Sequence, residues 1–482
     1  MATIDVMFYG SAVIFVAIML FLSRKNVIQY SNANRRIKLI IITIDRNKKM
    51  LMEATVSKSN NQSNFIPMAI VATLFFILGF ATWLNGSLMP YLKQVLQLSP
   101  FQASLILFSF YIAVTFTAVP SAMIIRKVGY KNGMALGMAT MMVAGLLFIP
   151  AAKTQVFALF LFAQLVMGAG QTLLQTAVNP YVVRIGPEES AAARVSVMGI
   201  LNKGAGVIAP IVFTALILSD FTGLVGKELT QLEIDAMANS LIYPYLGMAL
   251  FIGALAFAVT KMPLPELQDD EDQGAKGQVK EALSHPSLAL GVLALFVYVA
   301  VEVIAGDTIG TFALSLGIEQ YSIMTSYTMG CMVLGYILGI ALIPRFISQQ
   351  VALSASAILG CILTLAVVFS DTSSVVVATA LGLEVQLPDT LLMIAVLGFA
   401  NAIVWPAVWP LALSGLGKLT SVGSGLLVMG IAGGAFGPLF WGLASGGVDS
   451  AEAQQGAYIV MLPCYLFILF YAVKGHKMKS WK

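Results

Sequence analysis

Twelve apolar runs of about 20 residues, each long enough to cross a bilayer, restrict this chain more than any other feature. They begin near Phe65, Phe101, Asn132, Val156, Val195 and Leu241, and after a polar break near Leu288, Ile323, Val351, Leu391, Ser421 and Ala457. The order is six, a break, and six. Backbone polar groups in hydrocarbon must be paired internally, so the runs read as helices and the fold class as an all-α membrane protein. Composition agrees: 59% of residues are hydrophobic and 10% charged, where a soluble domain carries roughly 25% charged residues. Cys331, Cys361 and Cys464 all lie in apolar runs and read as small core residues, with no disulfide expected.

The runs divide the chain into a first bundle over residues 65–262 and a second over 286–474, with a tail at 475–482. Between the bundles, residues 263–285, "PLPELQDDEDQGAKGQVKEALSH", read as a solvated cytoplasmic connector. Residues 1–64 form an extension in which Val6 to Leu22 is apolar and a basic stretch follows. Two readings stand: a thirteenth helix, or a true start near Met50 or Met52, the second being favoured. Alternate loops and the tail on one side hold fourteen Lys and Arg; the opposite loops hold Lys93, Lys153 and Lys227. The positive-inside rule then expects both ends of the twelve-helix body in the cytoplasm. The net charge of +4 resides in these loops and suggests no nucleic-acid partner.

The halves repeat. "GAGQTLLQTAVNP" (168–180) pairs with "GFANAIVWPAVWP" (398–410) at an offset of 230, and "VMGI" at 197–200 recurs at 428–431. Two six-helix halves around a cavity are the architecture of the major facilitator transporters, with substrate held near the midplane.

Gln171, Gln175 and Asn179 are spaced four apart, which stacks three amides on one helix face. Amides donate and accept, which suits the hydroxyls of an uncharged polyol. Trp405 and Trp409 occupy the repeat-equivalents of Gln175 and Asn179 and would face the apolar side of a sugar ring, with Asn401 one turn earlier. The competing reading is hydrogen bonding between helices that merely holds the bundle together.

Carboxylates within spans are functional candidates because burying them is expensive. Only Glu302 and Asp307 sit well inside an apolar run. Five residues apart, they point about 140° away from each other on a straight helix. Both face one cavity only if the helix breaks near Gly306 or Asp307 lies beyond the span. Glu302 is the preferred proton-accepting group, with Asp307 second. Lys203 is the deepest cation, and the favoured reading is that it snorkels to the cytoplasmic surface. Arg126, Lys127, Gly129 and Lys131, in "RKVGYK", form a tight turn assigned to gating and structure. No metal-ligating set and no cofactor is expected, and no GxxxxGK[ST] signature supplies an ATP motor. An intramembrane enzyme would need His, Cys or facing acids in the spans, whereas His285 and His476 lie outside the core.

"FFILGFATWLNGSLMPYLKQVLQLSPFQASLI", "RKVGYKNG", "LLQTAVNPYVVRIGPEESAAARVSVMGILNKGAGVIAP" and "VYVAVEV" resemble the fucose–glucose–galactose proton symporters of the major facilitator superfamily, and also their N-acetylglucosamine permease group. The resemblance spans nearly everything from Phe65 onward. It implies substrate contacts at Asn85 and Asn202 and departs from the fucose pattern at three places. Gly86 stands where fucose carriers have an acid, Gln175 where they have a glutamate, and Gly199 where they have a glutamine. Glu302 matches an acidic position of glucose-type members, which moves coupling into the second half. The reading is a monomeric importer of glucose, galactose or N-acetylglucosamine in a bacterial inner membrane, driven by protons. The alternatives are sodium coupling, facilitated passage, and, more distantly, an enzyme or a receptor.

Overall fold

The computed structural model describes residues 66–184, 191–221, 224, 229–264, 275–343, 345–380, 387–448 and 450–481. The expectations for residues 1–64 and for the acidic part of the connector lie outside these. Among the described residues, twelve helices are long and apolar enough to span a membrane. They are α1 (Ile66–Val95), α2 (Pro100–Val128), α3 (Tyr130–Thr154), α4 (Phe157–Val182), α5 (Arg194–Phe221) and α6 (Gln231–Lys261), followed by α7 (Pro286–Ser315), α8 (Tyr321–Leu342), α9 (Gln349–Phe369), α10 (Asp389–Leu413), α11 (Val422–Ala444) and α12 (Ala451–Lys477).

Local chemistry sets where these helices begin. Ser99 and Gln102 form a reciprocal cap ahead of α2, with Pro100 in the first turn. Helix α2 ends at Gly129, whose φ of 82° turns the chain directly into α3; this left-handed conformation costs glycine nothing sterically. Arg126 and Lys127 occupy the last turn of α2, where cations favour the helix dipole. Hydropathy placed the sixth run near Leu241, yet α6 begins at Gln231. Thr230 and Glu233 cap it there, and its first ten residues are too polar to register as a span. The twelfth likewise starts earlier than Ala457, at Ala451, with Ser450 as its cap.

Packing follows the two halves. Helix α4 lies against α2 and α3, and α3 against α6; in the second half α10 packs on α8 and α9, and α9 on α12. Glycines allow the close approach that lipid-embedded helices need. A methyl at Gly168 would strike the carbonyl of Phe110, and one at Gly433 that of Phe296. The halves meet through α5 with α8, α2 with α11, and α1 with α7.

At the end carrying Val95, Pro100 and Tyr321, hydrogen bonds close this seam. Ser87 Oγ donates to the Ser322 carbonyl (2.6 Å), and Thr214 Oγ1 meets Ser322 Oγ (2.6 Å). Tyr321 OH donates to Gln94 Oε1 (3.0 Å), and Ser326 Oγ to the Val207 carbonyl (2.7 Å). These four contacts form a polar seal between the halves.

Candidate substrate and coupling site

A chain of contacts runs from one half into the other. Trp409 and Trp405 of α10 lie 5.6 Å apart by ring centroid, and Trp405 lies 6.3 Å from Tyr298 of α7. One turn along, Glu302 Oε1 accepts from Tyr298 OH (2.8 Å) and from Lys203 Nζ of α5 (2.6 Å). The ammonium also rests 4.2 Å above the ring of Trp83 in α1. Trp83 Nε1 in turn donates to Asn202 Oδ1 (3.3 Å). Lys203 and Glu302 are both buried, their side chains 10% and 9% exposed.

This overturns the snorkelling expectation for Lys203. A lysine reaches for the surface when its charge has no partner at depth. Here a carboxylate from the other half and an indole face supply one. The sequence signal was the pairing of the deepest cation with a deep acid, but the two lie 99 positions apart on different halves. Tyr298 and Trp83, both essentially buried, were not singled out either, because an aromatic residue in an apolar run looks like core.

Asp307 answers the question of the straight helix. Between Ile304 and Thr308 the backbone of α7 widens into a π-turn. Its i→i+5 bonding takes an extra residue into the turn. That swings residue 307 toward the side of residue 302, and α7 remains helical to Ser315. Asp307 has no exposure, and neither carboxyl oxygen has a hydrogen-bond partner among the described residues. Gly86 of α1 lies against it: a Cβ there would stand 2.9 Å from Asp307 Oδ1 and would also collide with Thr325 Oγ1. The two other departures from the fucose pattern differ from each other in setting. Gly199 faces the Tyr336 ring of α8, while Gln175 is half-buried.

The amide stripe is graded along α4. Gln171 is buried and donates through Nε2 to Thr82 Oγ1 of α1, while its Oε1 has no partner. Gln175 and Asn179 are half-buried. Two turns before Gln171, Gln164 donates to Asn85 Oδ1 (2.8 Å), leaving Asn85 Nδ2 without a partner. In α10, Asn401 accepts from Tyr465 OH (2.9 Å), and its Nδ2 is likewise unpartnered. Trp405 and Trp409 are half-buried, and Trp409 Nε1 has no partner. Among the described residues, donors and acceptors without partners therefore recur on α1, α4, α7 and α10. Arg126, Lys127, Gly129 and Lys131 sit apart from this set, at the end of the bundle opposite the seal.

Residues 71–438 match the family model of the Major Facilitator Superfamily. The glucose/galactose transporter of Brucella abortus is 32% identical over 427 residues, covering 87% of this chain and 97% of that protein. The L-fucose-proton symporter of Escherichia coli is 28% identical over 432 residues, covering 86% and 93%. A solved structure of a variant of the Escherichia coli fucose:proton symporter superposes with a TM-score of 0.62 at 25% identity, covering 85% of this chain and 98% of that one. The proteins of this fold are transporters, not enzymes. With twelve spans, two packed halves and relatives matched along nearly their whole length, the chain is a multi-pass membrane protein of the Major Facilitator Superfamily, in its fucose–glucose–galactose proton symporter branch.

Proposed function

We propose that this protein imports an uncharged monosaccharide by proton symport through alternating access. Glucose, galactose and N-acetylglucosamine are the candidate loads. The observation that carries the reading is the Lys203–Glu302 pair, buried at the seam between halves and flanked by Tyr298, Trp405, Trp83 and Asn202. A paired charge leaves no net cation to attract an anion. Aromatic faces beside amides suit a ring with an apolar side and hydroxyl edges. Asn85, Gln171, Gln175, Asn179, Asn202, Asn401, Trp405 and Trp409 are the proposed substrate contacts, and Glu302 and Asp307 the coupling acids. Arg126, Lys127, Gly129 and Lys131 are assigned to gating.

Loop charge supports an orientation with both ends of the twelve-helix body, and the connector, in the cytoplasm of a bacterial cell. The polar seal of Ser87, Thr214 and Ser322 then lies on the outer side, so this form is closed outward. The protein is expected to act as a monomer. Counterflow in proteoliposomes tests the reading: vesicles loaded with unlabelled sugar take up the labelled sugar transiently. Overshoot with at least one of the three sugars is expected; no overshoot with any of them contradicts it.

A further inference from the structure

The two acids of α7 are held in opposite ways. Glu302 has a full counter-charge at 2.6 Å and a phenol donor at 2.8 Å. Asp307 has neither, and it has no exposure to solvent. A buried carboxylate without a partner is among the most expensive groups a protein can hold, and the usual escape is to bind a proton. A carboxylate bonded to an ammonium and a hydroxyl has no such need.

We propose that in this sealed form Asp307, buried without a hydrogen-bond partner, carries a proton and exchanges the coupled proton, while Lys203, bonded to Glu302, is a positioning residue. The coupling half of this proposal rests on the symport reading above. The ionisable groups around Asp307 are consistent with the split. Glu302 comes from its own helix, Lys203 from α5 and Tyr111 from α2; Tyr458 of α12 bonds its neighbour Thr308. The contact from α1 is Gly86, and α8 contributes Thr325, which donates to the Gly306 carbonyl (2.7 Å) and not to the acid. Lys203 is thus the cation available to the pair, and its Nζ is bonded to Glu302.

The placement of Asp307 also says when it changes state. Gly86 belongs to α1 and Thr325 to α8, on opposite sides of the seam; Gly86 directly precedes Ser87, and Thr325 lies about one turn from Ser322, so both adjoin the Ser87–Ser322 bond. Parting the halves at the seal admits water to the carboxyl, and an O–H bond forms with a proton from outside. Closing the seal encloses the neutral acid. The same O–H bond breaks to water of the opposite cavity, restoring the carboxylate; no other bond changes.

Two measurements on the full chain test this. The first is infrared spectroscopy of the purified protein at neutral pH without sugar, reading the deuterium-sensitive C=O stretch of a protonated carboxyl. The band is expected in the wild type and in the Lys203→Met/Glu302→Gln double variant, and is expected to vanish in Asp307→Asn. Its survival in Asp307→Asn, or its loss in the double variant, overturns the proposal. This arm needs no substrate, so it decides the protonation question even if the symport reading fails. The second arm uses proteoliposomes and whichever of glucose, galactose or N-acetylglucosamine the wild type exchanges. Asp307→Asn should exchange sugar but not concentrate it under a proton gradient; an Asp307→Asn variant that still concentrates sugar overturns the assignment. Lys203→Arg, which keeps the charge, should preserve the wild-type pH profile of uptake.

Discussion

At the scale of single residues, the distinction that matters is between polar groups already committed to the protein and those left over. Gln171 is buried and spends its amide nitrogen on Thr82, while Gln175 stands half-buried. Replacing Gln175 by Ala should weaken sugar binding about twofold to tenfold, from one lost bond of roughly 0.5–1.5 kcal/mol, and leave the melting temperature unchanged. Replacing Gln171 by Ala should weaken sugar binding and, because its bond to Thr82 is also lost, lower thermal stability by a similar free energy. Binding titration and a melting curve on each variant check both. A second contrast concerns the ion pair. Removing one partner of a buried pair costs about 3–5 kcal/mol because the other charge is stranded, whereas removing both is far milder. Glu302→Gln alone should therefore melt well below the Lys203→Met/Glu302→Gln double variant. Equal melting of the two would mean that Lys203 finds solvent when its partner is gone. Glu302 was legible in the sequence as an acid deep in an apolar run. Its partner was not, since nothing local tells position 203 that position 302 will stand beside it. Pairing across two halves is a property of the assembled bundle.

At the scale of helices, hydropathy found the spans because hydrocarbon demands length and apolarity of each one. It missed the polar first turns of α6 and α12, where capping by Thr230, Glu233 and Ser450 does what burial does elsewhere. It also had no means of placing the π-turn at Ile304–Thr308, since i→i+5 bonding leaves no composition signature. That turn decides the site, because it carries Asp307 toward the side of Glu302 and against α1. The contact between α1 and α7 depends on Gly86 having no side chain. In Gly86→Ala the added methyl would collide with Thr325 Oγ1 and crowd Asp307, holding the outer seal apart. A Ser322→Cys reporter, buried in the seal, should then react several-fold faster with a membrane-impermeant maleimide applied from outside. An unchanged labelling rate would mean that the halves can close over the extra methyl.

For the whole molecule, the sequence repeat and the loop charges by themselves describe a machine of two halves. What they leave open is which side is closed, because a seal is made of ordinary serines, threonines and tyrosines that carry no mark of their role. Ser87, Thr214, Tyr321 and Ser326 acquire one only through the partners they meet across the seam. Orientation can be checked separately. Reporters active only outside the cytoplasm, fused within the connector or after Lys482, should stay silent, and activity at either site would reverse the assignment of the seal to the outer face. The central claim is that a proton gradient drives sugar uphill through this bundle, and its most direct measurement is uptake of labelled sugar into proteoliposomes with an imposed pH gradient, acidic outside. Accumulation above the equilibrium level is predicted, abolished by a protonophore and indifferent to sodium. Uptake that only equilibrates, or that overshoots only with a sodium gradient, would contradict it.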